Sequence, residues 1–347
     1  MRNYDDTTTI AERFSMAANL TPQYLKAQES YRRAATKEEE LKWLEVMFKE
    51  LPKHKASEKM QMDLKTKISQ TKKEIEGAPK STGPKTQPGV SIPRQGAGTC
   101  ILIGGPNAGK SRLLAALTRA SPEVAPYPYT TRTPLPGMMA WEDCYVQLVD
   151  TPPITDDLFE PYMQGLIRGA DLVLLMVDLG ADDGIEQCQS VLKRLNETKT
   201  RLGRSSYLDE EDVGLSFTQT LLVPNKTDLP DAADRLAMLH EFVPLDFVEH
   251  PISAEHGDGL EELRTVIFRA LDVVRVYSKS PKAKEADRER PFTVKRGGTV
   301  LDVATQIHKD MADTFKFARV WGHGVHDGTP VKGDHVVHDR DVVEIHA

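Results

Sequence analysis

Apolar residues recur at helical spacing through the first quarter of the chain. Leu41, Leu44, Met47/Phe48 and Leu51 share one helix face, and after a break from Pro52 to Ser57 a second stripe runs through Met60, Leu64, Ile68, Thr71 and Ile75. Thr21-Pro22 reads as an N-cap followed by proline in the first turn, and Thr36 to Glu39 has the spacing of a capping box. The pattern predicts an αα-hairpin with one further helix before it. From Gly77 to Pro93 the chain turns rich in Pro, Gly, Ser, Thr and Lys, the composition of a linker.

Beyond Thr99 the period changes. Apolar runs at Thr99–Gly104, Val146–Asp150, Leu172–Val177, Thr218–Val223 and Phe247–Ile252 read as buried strands separated by amphipathic helices. That alternation predicts a doubly wound α/β domain with a mainly parallel sheet. Residues 195–217 are polar and read as a surface excursion, and residues 278–290 as a charged linker containing Pro281. The remainder predicts a small mixed unit: a strand at 291–296, a turn at Gly297-Gly298, a helix from about 300 to 313 capped by Thr299 and Asp302, then further strands. The expected domains are a helical arm and linker over 1–93, the α/β domain over 94–278, a linker over 279–289 and a C-terminal domain over 290–347.

Composition narrows the class. At 39% hydrophobic and 28% charged residues, the chain has the make-up of a globular protein. No apolar run approaches the roughly 18 residues that would span a bilayer, and the first twenty residues do not read as a secretory signal. Cys100, Cys144 and Cys188 are expected to be buried free thiols of a cytoplasmic protein. The net charge of −7 is uneven: residues 20–80 hold 14 Lys/Arg against 10 Asp/Glu, a balance of +4. That arm either faces RNA phosphates or is a solvated, lysine-rich hairpin.

Two short stretches carry chemistry. Gly104-Gly105-Pro106-Asn107-Ala108-Gly109-Lys110-Ser111 follows a strand and opens a helix, the context of a phosphate-binding loop. Its glycines let backbone N–H groups close on an anion, Lys110 would bridge the β- and γ-phosphates, and the Ser111 hydroxyl would meet Mg²⁺. Asn225-Lys226-Thr227-Asp228 reads as a guanine-selecting loop. Asp228 can accept from both guanine N1–H and the exocyclic amine, whereas adenine would leave the carboxylate unpaired. Asn225 would tie the base edge to the phosphate loop, and the Lys226 stem would cover the base. Ser253-Ala254-Glu255 follows the last strand, where a backbone N–H would meet guanine O6.

With these residues the chain resembles the Obg/DRG family of GTPases in the form that ends with a TGS domain. Tyr127-Pro128-Tyr129-Thr130-Thr131 is close to that family's switch, and Leu148-Val149-Asp150-Thr151-Pro152 continues the likeness. So do Ile307–Asp310, Phe317–Gly322 and Asp341–Ile345 near the C-terminus. The resemblance implies a P-loop GTPase domain, a β-grasp TGS domain and a switch segment that includes Tyr129, Thr130, Thr131, Arg132 and Thr133. In that family the second threonine of the pair closes over the γ-phosphate and binds Mg²⁺. Thr131 takes this place, with Thr130 as the alternative. Asp150 would hold Mg²⁺ through water. The resemblance also implies GTP and GDP as ligands, RNA or the ribosome as partners through the arm and the TGS domain, and an activating protein.

Three departures matter. The usual Asp-x-x-Gly turn is Asp150-Thr151-Pro152-Pro153, and proline has no N–H to give a γ-phosphate. The next position, often a water-orienting glutamine, is Ile154. The stretch from Asp178 to Asn225 has no room for the small domain inserted in the DRG branch. Asn107 either stabilises the loop or, as in some related GTPases, helps bind K⁺. The outcome is a slow GTPase switch or, alternatively, a GTP/GDP-sensing scaffold with little hydrolysis. In the C-terminal unit, Phe317 and Trp321 alternate with Arg319 and either stack with it on RNA or, as expected, share the core face of a strand; the pairs His323/His326 and His335/His338 are expected to be ordinary turn residues rather than metal ligands.

Overall fold

The computed structural model describes residues 20–34, 36–53, 57–77, 92–118, 133–209, 212, 214–243, 245–281 and 283–347. In chain order the elements are α1 Pro22–Arg32, α2 Lys37–Glu50, α3 Glu58–Gly77, β1 Thr99–Gly104, α4 Lys110–Leu117, β2 Leu135–Trp141, β3 Cys144–Asp150, α5 Pro161–Gly169, β4 Leu172–Asp178 and α6 Gly184–Asn196. There follow β5 Thr200–Gly203, β6 Tyr207–Leu208, β7 Ser216–Asn225, α7 Ala232–Phe242, β8 Val248–Glu249, α8 Leu260–Leu271 and β9 Val273–Ser278. The last are β10 Asp287–Lys295, α9 Val300–Ile307, α10 Lys309–Asp313, β11 Phe317–Trp321, β12 Thr329–Val331 and β13 Asp341–His346.

One compact unit comprises residues 1–91, 155–170 and 190–220. Its arm is the three helices α1 to α3, each fixed by local chemistry. Thr21 and Thr36 accept backbone N–H groups of Tyr24 and Glu39 as N-caps. Tyr24, Tyr31, Leu44, Met47, Leu51 and Leu64 form the core between the helices, the apolar stripes of the sequence meeting as that pattern predicts. Arg32, almost fully buried, donates to the Arg168 carbonyl at the end of α5, to the Phe217 carbonyl and to Ser216 Oγ. The arm is thereby fastened to the helix that follows the Asp150 turn. The polar excursion folds as β5 and β6, which pair with residues 216–219 of β7.

The other unit comprises residues 92–154, 171–189 and 221–347. Here β1 lies between β3 and β4, parallel to both, and β2 closes the edge antiparallel to β3. β8 runs parallel to the second half of β7. All six residues of β1 are buried, as a central strand covered on both faces requires. This is a P-loop GTPase fold. A second sheet, in the order β10-β9-β13-β11-β12, is backed by α9, whose Thr299 and Asp302 make the predicted cap as a reciprocal capping box. This is the TGS domain.

Two sequence expectations change. Residues 273–278, inside the expected bounds of the α/β domain, form β9, a strand absent from those the apolar pattern predicts, and it pairs with β10 and β13 in the second sheet. Asp272, in the left-handed region at φ 48°, turns the chain from α8 directly into it. On β11 the core side chains are Ala318 and Val320, so Phe317 and Trp321 share the opposite face with Arg319. Strand alternation fixes this: residues two apart share a face, and α9 covers the other one. Phe317 stacks on the His346 ring, and Trp321 lies under Lys279.

Candidate functional site

The parallel strands bring their carboxyl ends to one edge, where open α/β sheets place ligands. There β1 delivers the loop Gly104–Gly109, β3 ends at Asp150, β4 at Asp178 and β7 at Asn225. Gly109 sits at φ 93°, and a Cβ there would fall 2.2 Å from Asn225 Nδ2, so only glycine fits. Asn107 is exposed at φ 55°, a conformation that asparagine tolerates better than most residues. The loop geometry alone thus gives Asn107 a reason to be there.

Lys110 opens α4 and donates to the carbonyls of Gly104 and Gly105 at 3.2 and 2.8 Å. Burial of its ammonium pulls the pKa down to about 8, against an opposing pull from Asp150. Asp150 Oδ2 accepts from Ser111 Oγ at 2.5 Å, while Oδ1 is buried and has no hydrogen-bond partner. Burial raises the Asp150 carboxyl, although Ser111 and Lys110 favour its charged form. A carboxylate with an orphaned oxygen beside a hydroxyl is a hard oxygen pair. It fits Mg²⁺, which takes few protein ligands and completes its shell with phosphate oxygens and water.

The turn after Asp150 is pinned. Thr151 Oγ1 donates to the Leu102 carbonyl at 2.6 Å, and the Ile154 N–H donates to the Gly104 carbonyl at 3.1 Å. Pro152 is buried, Pro153 half-buried, and the Ile154 side chain belongs to the core. Tyr129, Thr130, Thr131 and Arg132 lie outside the described residues; Thr133 is exposed just before β2. From α8, Arg264 Nη1 donates to the carbonyls of Leu117 and Ala140, tying α4 to β2 on either side of that segment.

The base-reading residues meet the phosphate loop through Asn225. Its Nδ2 donates to the Ala108 carbonyl at 2.9 Å, and its Oδ1 accepts the Ala254 N–H at 3.0 Å. Lys226, at φ 69°, ion-pairs with buried Asp178 at 2.5 Å, which holds its stem in place. The Thr227 N–H bonds the Ile252 carbonyl. Asp228 is exposed, and the Ser253 hydroxyl holds its carboxyl below the usual range. The Glu255 side chain turns to Arg112 at 2.8 Å. Asp178, Arg112 and Arg264 were not singled out by sequence. Asp178 alone had a signal, a carboxylate closing an apolar strand.

A family model described as 50S ribosome-binding GTPase matches residues 99–205, and the TGS domain model matches residues 274–347. An uncharacterized GTP-binding protein of Methanocaldococcus jannaschii is 29% identical, over 89% of this chain and 92% of its own length. Developmentally-regulated G-protein 2 of Arabidopsis thaliana is 28% identical, over 88% of this chain and 90% of its own. Among solved structures, the YchF GTPase of Schizosaccharomyces pombe covers 74% of this chain and 99% of its own at a TM-score of 0.49 and 12% identity. The chain thus carries a GTPase domain and a C-terminal TGS domain, and it is similar along most of its length to developmentally-regulated GTP-binding proteins.

Proposed function

We propose that this GTPase is a slow, Mg²⁺-dependent cytoplasmic switch whose GTP-bound form docks on RNA or the ribosome. The observation that carries the slow rate is Ile154. It stands where a water-orienting glutamine is often found, and it is buried with its N–H committed to Gly104. The Ile154 side chain cannot orient water, and without an added activating charge intrinsic turnover should resemble the slow switch class, on the order of 10⁻⁴–10⁻² per second. In this reading the N–H groups of residues 104–111 cradle the phosphates and Lys110 bridges the β- and γ-phosphates. Ser111, Thr131 and, through water, Asp150 hold Mg²⁺, which when bound neutralises charge on the phosphate oxygens. Asp228 reads guanine, Asn225 and Lys226 frame the base, and the backbone of Ser253-Ala254-Glu255 meets O6. Asn107, which the loop geometry already accounts for, would also help hold a K⁺ ion, and that ion would supply the charge of an arginine finger.

The docking half of the reading is supported by the arm. Lys65, Lys72 and Lys73, together with Glu45 and Glu76, line a shallow groove of about 570 Å³ that also contains Phe48 and Ile68, and Lys72 pairs with Glu45 at 2.8 Å, leaving a small net positive charge. Basic side chains around an apolar floor suit a phosphate backbone with bases to stack. The description of the matching family names the 50S subunit. Co-sedimentation with 50S subunits tests this. More pelleting with a non-hydrolysable GTP analogue than with GDP, weakening as salt rises, is expected. Equal pelleting with both nucleotides would overturn it. The pinned Pro153-Ile154 turn favours one rival reading, a GTP/GDP-sensing scaffold that barely hydrolyses.

A further inference from the structure

The β2–β3 hairpin leads from the switch segment to Asp150: Leu135 pairs with Asp150 at its base, and Trp141 pairs with Cys144 at its tip. Its seven-residue strands span roughly 20 Å. β1 pairs β3 only as far as Gln147 and residues 96–98 continue the contact to Tyr145, so the tip at 141–144 lies beyond both. The tip turns through Glu142 and Asp143, with Glu142 in the left-handed region at φ 47°. A glutamate there costs about 1–2 kcal/mol against glycine.

The TGS domain holds this tip. Arg275 on β9 is 3% exposed and serves carboxylates on two sides. From the TGS domain, Asp339 accepts from its backbone N–H, Nε and Nη2 at 2.8, 3.0 and 2.7 Å. From the hairpin, Glu142 and Asp143 accept from Nη1 at 2.5 and 2.8 Å. The Tyr277 hydroxyl also donates to Asp143, and Arg340 Nη2 to Glu142 at 2.9 Å. From the GTPase domain's own α8, Phe268 stacks on Trp141 at 3.7 Å, and the Arg275 guanidinium lies above both rings. Asp339 already fills one edge of Arg275, so the Nη1 contacts serve the hairpin alone. They also hold the Glu142 carboxylate whose backbone is strained.

We propose that Arg275 is a positioning residue for the nucleotide site, and that this clamp couples the TGS domain to the nucleotide state. The hairpin is a lever with Leu135 and Asp150 at one end and Arg275 at the other. Exchange of GDP for GTP shifts the base, and the clamp carries the shift to Asp339 and Arg340. By linkage, a partner seated on the TGS domain biases the nucleotide in return. This inference rests on the switch reading given above.

The test uses the full chain, with affinities for GDP and a non-hydrolysable GTP analogue, so hydrolysis does not enter. Glu142→Gln with Asp143→Asn neutralises the exposed tip. Arg275→Lys keeps the charge but cannot reach both sets of carboxylates. Each variant is expected to change the ratio of the two affinities threefold or more, on the order of the coupling that links other paired sites. In the native chain, amide exchange at Arg275 and Arg340 should differ between the nucleotides, and in the variants it should not. Ratios within twofold of native, with exchange at the clamp indifferent to nucleotide while residues 148–154 respond, would overturn the coupling alone. Indifference at residues 148–154 as well would overturn the switch reading and the coupling together.

Discussion

Asn225 and Ala108, far apart in sequence, are joined by a buried hydrogen bond of 2.9 Å that ties the base-reading loop to the phosphate loop. The same side chain accepts the Ala254 N–H, so one amide spans all three nucleotide-binding stretches. Asn225→Ala leaves a buried carbonyl and a buried N–H without partners, at about 1–3 kcal/mol each. GDP affinity should fall at least tenfold by titration with a fluorescent nucleotide, and the melting temperature should fall with it. Unchanged affinity would mean that the bridge does not organise the site.

Asp228 should set the choice of base. An Asp228→Asn side chain offers a donor where guanine N2 also donates, and xanthine presents a carbonyl there instead. The variant should lose GTP affinity by about a hundredfold or more, consistent with a buried polar mismatch, and gain affinity for XTP. Competition binding reads both, and retained GTP preference would remove Asp228 from the base site.

Lys110 predicts a pH dependence. Burial holds its free-state pKa at about 8, whereas a bound triphosphate keeps the ammonium charged. Binding therefore takes up a proton above pH 8, and affinity should fall as pH rises through that value, by up to about tenfold per unit. Titrations from pH 7 to 9.5 measure this. In Lys110→Met affinity should be low throughout and the slope should vanish.

Pro153 cannot donate to a γ-phosphate, so discrimination of GTP over GDP should be weaker here than in relatives with glycine at that place. A hydrogen bond to a charged group contributes about 1.5–3 kcal/mol. Pro153→Gly should raise the GTP-to-GDP affinity ratio about tenfold or more on that basis. A ratio that stays put would show that another donor already serves.

Much of this architecture was legible in local pattern. The arm's stripes, the β1 strand, the loops at 104–111 and 225–228 and the Thr299 cap are each written in consecutive residues or at a fixed helical period. What escaped was long-range. The run at residues 273–277 was not among the expected strands, nothing local says which sheet it would join, and the Asp272 turn into it has no glycine or proline to mark it. Phe317 and Trp321 were placed on the core face by their size, whereas the smaller Ala318 and Val320 fill it beneath α9. Arg275 stands among valines and gives no hint of carboxylates at residues 142, 143 and 339. Asp178 and Arg264 act only through partners brought near by folding.

Single-turnover GTP hydrolysis with Mg²⁺, in KCl and in NaCl at equal ionic strength, tests the central claim most directly. Slow turnover on the order of 10⁻⁴–10⁻² per second, faster in KCl and losing that preference in Asn107→Ala, is the predicted result. Bound GTP that stays intact in both salts would contradict it and leave a scaffold that senses the nucleotide without consuming it.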